Sequence, residues 1–158
     1  TIGAQIEPRS SEYRNLPIDE GFDWPEIIEI LADKHNLDST QLYLVVFRST
    51  RIPDIAGVND MGETLRERIA RLDDAAHIEA AQSAALLHYF AGDIDEKTRR
   101  AMSWCLWTDM AGARSALGGP SHREAAGQVD ELYSDFTLEI HTVSVDGQNA
   151  ILTPYVRE

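Results

Sequence analysis

His122 is the side chain in this sequence best placed to move a proton. It follows Pro120 and Ser121 at what reads as the opening of a helix, and it shares a helical face with Ala125, Ala126 and Val129. That face turns towards the core. The positive end of a helix favours the neutral imidazole, so the ring is available as a general base on a phenol-like acid, or as a donor that orients a ligand. The plainer reading is a histidine that satisfies backbone groups at a helix start. Trp107, close to the same opening, could wall a pocket for a flat ligand, although core packing is the commoner explanation of such a residue. Tyr89, Tyr133 and Arg48 are the candidate polar contacts in such a cavity.

Other chemistry finds less support. His88 and His141 fall on different strands, expected three strand spacings or ~14 Å apart, too far to share a metal within one chain. There is no Cys-x-x-Cys, His-Glu-x-x-His or His-x-His, so no metal site and no cofactor are expected. Asp93 and Asp95 lack the glycine and terminal glutamate of a calcium loop. Cys105 sits among apolar residues with no cation nearby in sequence and reads as a buried, inert thiol. Gly118-Gly119-Pro120 reads as a helix break, not a phosphate cradle.

The elements that must position these residues follow from the pattern. Residues 1 to 22 show no sustained period and several breakers, as in an extended, mobile arm. Asp23-Trp24-Pro25-Glu26 opens a first helix with capping-box spacing, and Ile27, Ile28, Ile30 and Leu31 carry it to about Asn36. Leu42 to Thr50 is a strand. A helix follows from about Asp60 to Ala81 with a stripe of Met61, Leu65, Ile69, Leu72 and Ala76. Strands are expected at 86–90 and 102–107. A broken helix starts at the Asp109 cap, stops at Gly118-Gly119-Pro120, restarts at Ser121-His122-Arg123-Glu124 as another capping box, and runs on through Val129, Leu132, Tyr133 and Phe136. Residues 137–145 form the next strand, and Asp146-Gly147 turns into a last one over Ile151–Val156.

Strand, helix, strand, strand, helix, strand is the ferredoxin-like βαββαβ order, an α+β antiparallel sheet with two main helices on one face, plus an extra N-terminal helix and a C-terminal β-hairpin. Residues 1–40 read as arm and helix, and 41–158 as the main domain. Leu42, Leu44 and Val46 lie on one face of the first strand, and Tyr43, Val45 and Phe47 on the other. Both faces need cover. A second copy stacking its sheet on the open face is the favoured cover, and the helix near 23–36 folding back is the alternative.

Composition narrows the class. A chain of 158 residues, 43% hydrophobic, builds one globular core. A net charge of -13 argues against nucleic-acid partners. A single cysteine, no apolar run of spanning length and no basic-then-apolar leader in the sequence as read give the expectation of a cytoplasmic protein with no membrane partner.

Strand three ending in Cys105-Leu106-Trp107, then an Ala-rich helix, then Pro120-Ser121-His122, resembles the dimeric α+β barrel superfamily, in particular its antibiotic-biosynthesis-monooxygenase-like branch. The resemblance covers roughly residues 41 to 145. It implies a small homodimer with a cavity between sheet and helices, in a group that includes cofactor-independent oxygenases and haem-degrading enzymes. Of the haem-degrading set only His122 is matched: the strand at Leu42–Thr50 has no Asn, and Ala113, Ser115 and Ala116 stand where a Trp is used. Two functions follow. One is an enzyme, such as a cofactor-independent monooxygenase acting on a small hydrophobic or aromatic compound through His122. The other is a non-catalytic ligand-binding or scaffolding dimer.

Overall fold

The computed structural model describes residues 5–35, 37, 41–53, 57–147 and 149–155. Five strands form one antiparallel sheet: β1 (Gln41–Arg51), β2 (Leu86–Ala91), β3 (Arg100–Trp107), β4 (Tyr133–Asp146) and β5 (Asn149–Pro154). Their spatial order is β2-β3-β1-β4-β5. The first four make the expected ferredoxin-like sheet. The hairpin at Asp146-Gly147, with Gly147 at φ 61°, lays β5 along residues 141–146, so β4 is a sheet edge only over its first half. Val156, expected in the last strand, lies outside the described residues.

The helices are α1 (Ile18–Gly21), α2 (Trp24–His35), α3 (Leu65–Ala81), α4 (Met110–Leu117), α5 (Pro120–Gly127) and α6 (Val129–Leu132). None of the described helices is long and apolar enough to cross a membrane. α3 starts later than its pattern suggested. The Asn59 side chain accepts from the amides of Met61 and Glu63, at 3.0 and 2.8 Å, and holds a turn there. The Thr64–Glu67 capping box then opens the helix, leaving Met61 outside it and 69% exposed. The broken helix also ends sooner. It stops at Gly127, makes one more turn as α6, and becomes strand at Tyr133. Tyr133 and Phe136 are therefore strand residues, because pairing with β1 (Ser49 opposite Phe136, Arg51 opposite Tyr133) prevails over the local helical period.

Each strand sends alternate side chains to opposite faces. Leu42, Leu44 and Val46 of β1 join Met102, Trp104 and Leu106 of β3 on one face. That face is covered from within the chain. Tyr13, Phe22, Trp24, Ile27 and Leu31 seal it so completely that Leu42, Leu44 and Val46 are 0% exposed. The Trp24 indole donates to the Ile18 carbonyl at 2.8 Å, and the Arg9 amide to the Gly21 carbonyl at 2.9 Å. The N-terminal segment is thus a packed layer, not an extended arm, and the stacked second copy favoured from sequence is not what shields this face.

Candidate functional site

The opposite face is less full. Phe47, Cys105 and Trp107 floor a hollow of about 390 Å³ roofed by α3 and α5, with Phe136 and Leu138 of β4, 37% and 47% exposed, among its walls. An α/β interior is normally close-packed; a hollow of this size, apolar in its floor and polar at several points, is the usual form of a small-molecule site.

His122 lines the hollow from the first turn of α5. It does so without the local cap that its sequence suggested. The N-cap of α5 is Gly119, which offers no side chain. Instead Glu79, near the end of α3, reaches across: its carboxylate accepts the backbone N–H of Ser121 at 2.9 Å and of His122 at 3.1 Å. The same carboxylate lies 2.8 Å from His122 Nδ1. An ionised carboxylate can only accept, so Nδ1 carries the proton in this contact and Nε2 of the neutral ring is left to accept one. The amide of Ser121, the His122 ring and the His122 amide together hold Glu79 well below the usual carboxylate range, at about 2. A Cβ at Gly119 would meet the Glu79 carboxylate, which would have to swing away to make room.

A second polar group sits earlier on α3. Asp73 lines the hollow six residues before Glu79, an axial separation of ~9 Å at the rise of an α-helix. Burial pushes its carboxyl up to about 6, against the pull of Arg51 and with a further push from Asp74. The side chain stays accessible to solvent through the hollow. Tyr89 and Tyr133 face it. Burial first, then the Asp73 charge, drive both phenols up to about 12, so they are hydrogen-bonding hydroxyls and not anions at neutral pH. The Tyr89 ring stacks on His77 with centroids 4.3 Å apart. A bulge between Leu86 and His88 re-phases β2, which sets Tyr89 opposite Cys105. The Cys105 thiol is pushed up to about 12 by burial and accepts the Trp107 indole N–H at 3.0 Å. It is not a nucleophile.

Of the residues singled out in the sequence, His122, Trp107, Tyr89 and Tyr133 meet around one hollow. Arg48 does not join them. It stands opposite Met102 on the other face of the sheet, donating to Glu139 at 2.7 Å and to the Arg14 carbonyl at 2.9 Å. A wider, more open depression of about 570 Å³ lies on that side, beneath Arg14, Leu16 and Leu152. Its cations are already engaged, Arg48 by Glu139 and Arg100 by Asp135 at 2.8 Å, which makes it the weaker site of the two. His88 faces α2, and among the described residues no three His, Cys, Asp or Glu side chains gather as they would around a metal.

Sequence reasoning missed Glu79, Asp73, His77 and Arg51. A signal was present for Asp73 and His77. They occupy the stripe of Ile69, Leu72, Ala76 and Ala80, where a polar residue must face either the core or a cavity. Glu79 carries no such mark, because its partner is 43 residues away.

The fold defined by this sheet and its helices, a ferredoxin-like α+β arrangement, is shared with small proteins of known structure. It superposes on protein SO0527 from Shewanella oneidensis with a TM-score of 0.52 at 16% identity, covering 68% of this chain and 96% of the other. On Rv0793 from Mycobacterium tuberculosis the TM-score is 0.50 at 15% identity, over 63% and 91% of the two chains. More particularly, the chain belongs to the PB2B2.08-like family, whose profile matches residues 4–153. UPF0643 protein PB2B2.08 of Schizosaccharomyces pombe is 29% identical over 142 residues, a match that takes in 86% of this chain. This chain covers 62% of that relative's length.

Proposed function

We propose that the hollow between the sheet and α3–α5 takes a small, flat, largely apolar molecule, and that His122, oriented by Glu79, removes a proton from it. The observation that carries this reading is the 2.8 Å contact between Glu79 and His122 Nδ1 at the wall of an otherwise apolar cavity. A carboxylate behind a histidine fixes the tautomer and stabilises the imidazolium that forms on proton uptake, which a lone histidine at a helix start does not have. Trp107 and Tyr89 offer flat walls for an aromatic or polyketide-like body. The anion left after proton transfer would be open to molecular oxygen, as in a cofactor-independent monooxygenase, or to internal rearrangement. The cavity is walled by one chain, so the chemistry requires no second copy, whether or not the protein forms the homodimer its superfamily suggests.

A thermal-shift screen of small aromatic acids, phenols and polyketide-like compounds, followed by mass spectrometry of each incubated hit, tests the reading. His122→Ala is expected to stay folded and bind the hit, while product formation falls by ~10²- to 10⁴-fold. Equal turnover by wild type and variant would overturn the base. A hit that binds and never changes mass would instead establish a carrier or sensor.

A further inference from the structure

Proton removal by His122 uses one end of the cavity and leaves the other unexplained. At that other end Arg51 enters from the last residue of β1. Its backbone is clamped, the amide donating to the Arg99 carbonyl at 3.0 Å while Arg99 Nε donates to the Arg51 carbonyl at 3.1 Å. Strand alternation delivers the Arg51 side chain, with Ser49, to the cavity face. There its Nε–H is buried and has no hydrogen-bond partner among the described residues. A buried guanidinium N–H without an acceptor is costly to leave so, and is a sign of a missing partner. Among the described residues no ion pair of 4.0 Å or less joins it to Asp73, although its charge acts on that carboxyl.

The neighbouring groups are donors too. Tyr133 and Tyr89 keep their hydroxyl protons at any physiological pH. In a chain of net charge -13, a cavity end that gathers an arginine and two phenols is set to receive acceptor oxygens, not a cation. We propose that Arg51, Asp73 and Tyr133 form a carboxylate subsite, so that the ligand of this cavity is a flat aromatic or polyketide-like acid, its carboxylate at Arg51 and its body extending from there towards Trp107. This rests on the cavity being a ligand site, as proposed above, and adds which class of molecule it takes.

Asp73 has a defined part in this. Facing it are Arg51 from β1, Asp74 and His77 from α3, Tyr89 from β2 and Tyr133 from β4. A second carboxylate brought beside it cannot be accommodated while both are ionised. Asp73 therefore takes up a proton as the ligand enters, and then donates that O–H to the ligand carboxylate. The arrangement couples binding to proton uptake.

Titration calorimetry with 2-naphthoate and with its neutral analogue 2-naphthamide separates the two claims. The naphthoate is expected to bind at least tenfold more tightly than the amide. Its affinity should rise roughly tenfold from pH 7.5 to 5.5, where the probe itself stays ionised. In Asp73→Asn that pH dependence should disappear, which excludes His77 as its source, and in Arg51→Gln the preference for the acid over the amide should be lost. Equal binding of acid and amide to the wild-type protein would overturn the subsite and leave the cavity reading standing. If neither probe binds at millimolar concentration, both fail. The wild-type comparison alone decides the question if either variant does not fold.

Discussion

On one face of this sheet Phe22, Trp24, Phe90 and Trp104 interlock, with ring centroids 5.0 to 6.0 Å apart, and pack closely over β2 and β3. On the other, the alternate residues of the same strands, Phe47, Cys105 and Trp107, look into a hollow of about 390 Å³ fringed by Asp73, Tyr89, His122 and Tyr133. The strands are shared, so the difference comes from the layer laid over each face. An N-terminal segment made of large aromatic and branched side chains fills one. Helices presenting Ala76, Ala80, Ala113 and Ala125 hold the other open. Small residues on a helix face keep space beneath it, and stability must then come from elsewhere. Here it comes from the filled face.

The largest effect expected from this contrast follows removal of residues 1–37. Leu42, Leu44, Val46, Met102, Trp104 and Leu106 would lose their cover, at ~1.5–3 kcal/mol for each large side chain. That exceeds most of the 5–15 kcal/mol by which domains are stable, so sedimentation should find self-associated or unfolded chain. A folded, monodisperse monomer would break the comparison. Trp24→Ala is the next step down. It opens a void and strips the Ile18 carbonyl of its donor, for a loss of ~3–5 kcal/mol in denaturant unfolding. Ala125→Leu, on the cavity side, adds bulk into empty space and should cost less than about 1 kcal/mol while weakening ligand binding. If the two substitutions cost the same, the faces are not packed differently.

Two carboxylates on α3 sharpen the comparison further, because they titrate in opposite senses. The folded pKa of Glu79, about 2, lies below its ordinary 4.5. The stability it contributes is present above 4.5 and is lost as pH falls towards 2. Glu79→Gln should therefore be less stable than wild type at neutral pH, with the gap closing in acid. Asp73, at about 6 against an ordinary 3.8, is the reverse: the folded protein binds the extra proton between those values, so stability declines as pH rises through that window. Asp73→Asn should gain on wild type from pH 4 to pH 7, by a small amount since the side chain remains in contact with water. Melting curves at four or five pH values read both. Parallel curves for the two variants would contradict the assignment.

Much of the frame was legible in the residues. Branched and aromatic runs marked the strands, the Asp146-Gly147 turn marked the hairpin, and Leu42-Leu44-Val46 against Tyr43-Val45-Phe47 showed that both faces are covered. What an apolar face does not reveal is who covers it. Phe22 ends a segment with no sustained period and Trp24 opens the helix read as the alternative cover, and only their burial against Trp104 shows the two to form one structural layer. For the site, His122 and Trp107 were recognisable from their place beside a helix start. Glu79 was not, since capping from another helix leaves no trace in local spacing. Arg48 was misplaced for want of the strand's parity: two residues on from Val46, it has to share that residue's face. Tyr133 was placed correctly at the cavity for the wrong reason, as a helix residue and not the first of β4.

The claim on which the rest depends is that the functional face of this sheet is the hollow one. Amide chemical-shift mapping of the isotopically labelled protein, titrated with 2-naphthoate, locates the ligand directly. Shifts should concentrate at Arg51, Asp73, Tyr89, Cys105 and Tyr133. Shifts confined to Arg14, Leu16, Arg48 and Leu152, around the open depression on the other side, would contradict the account.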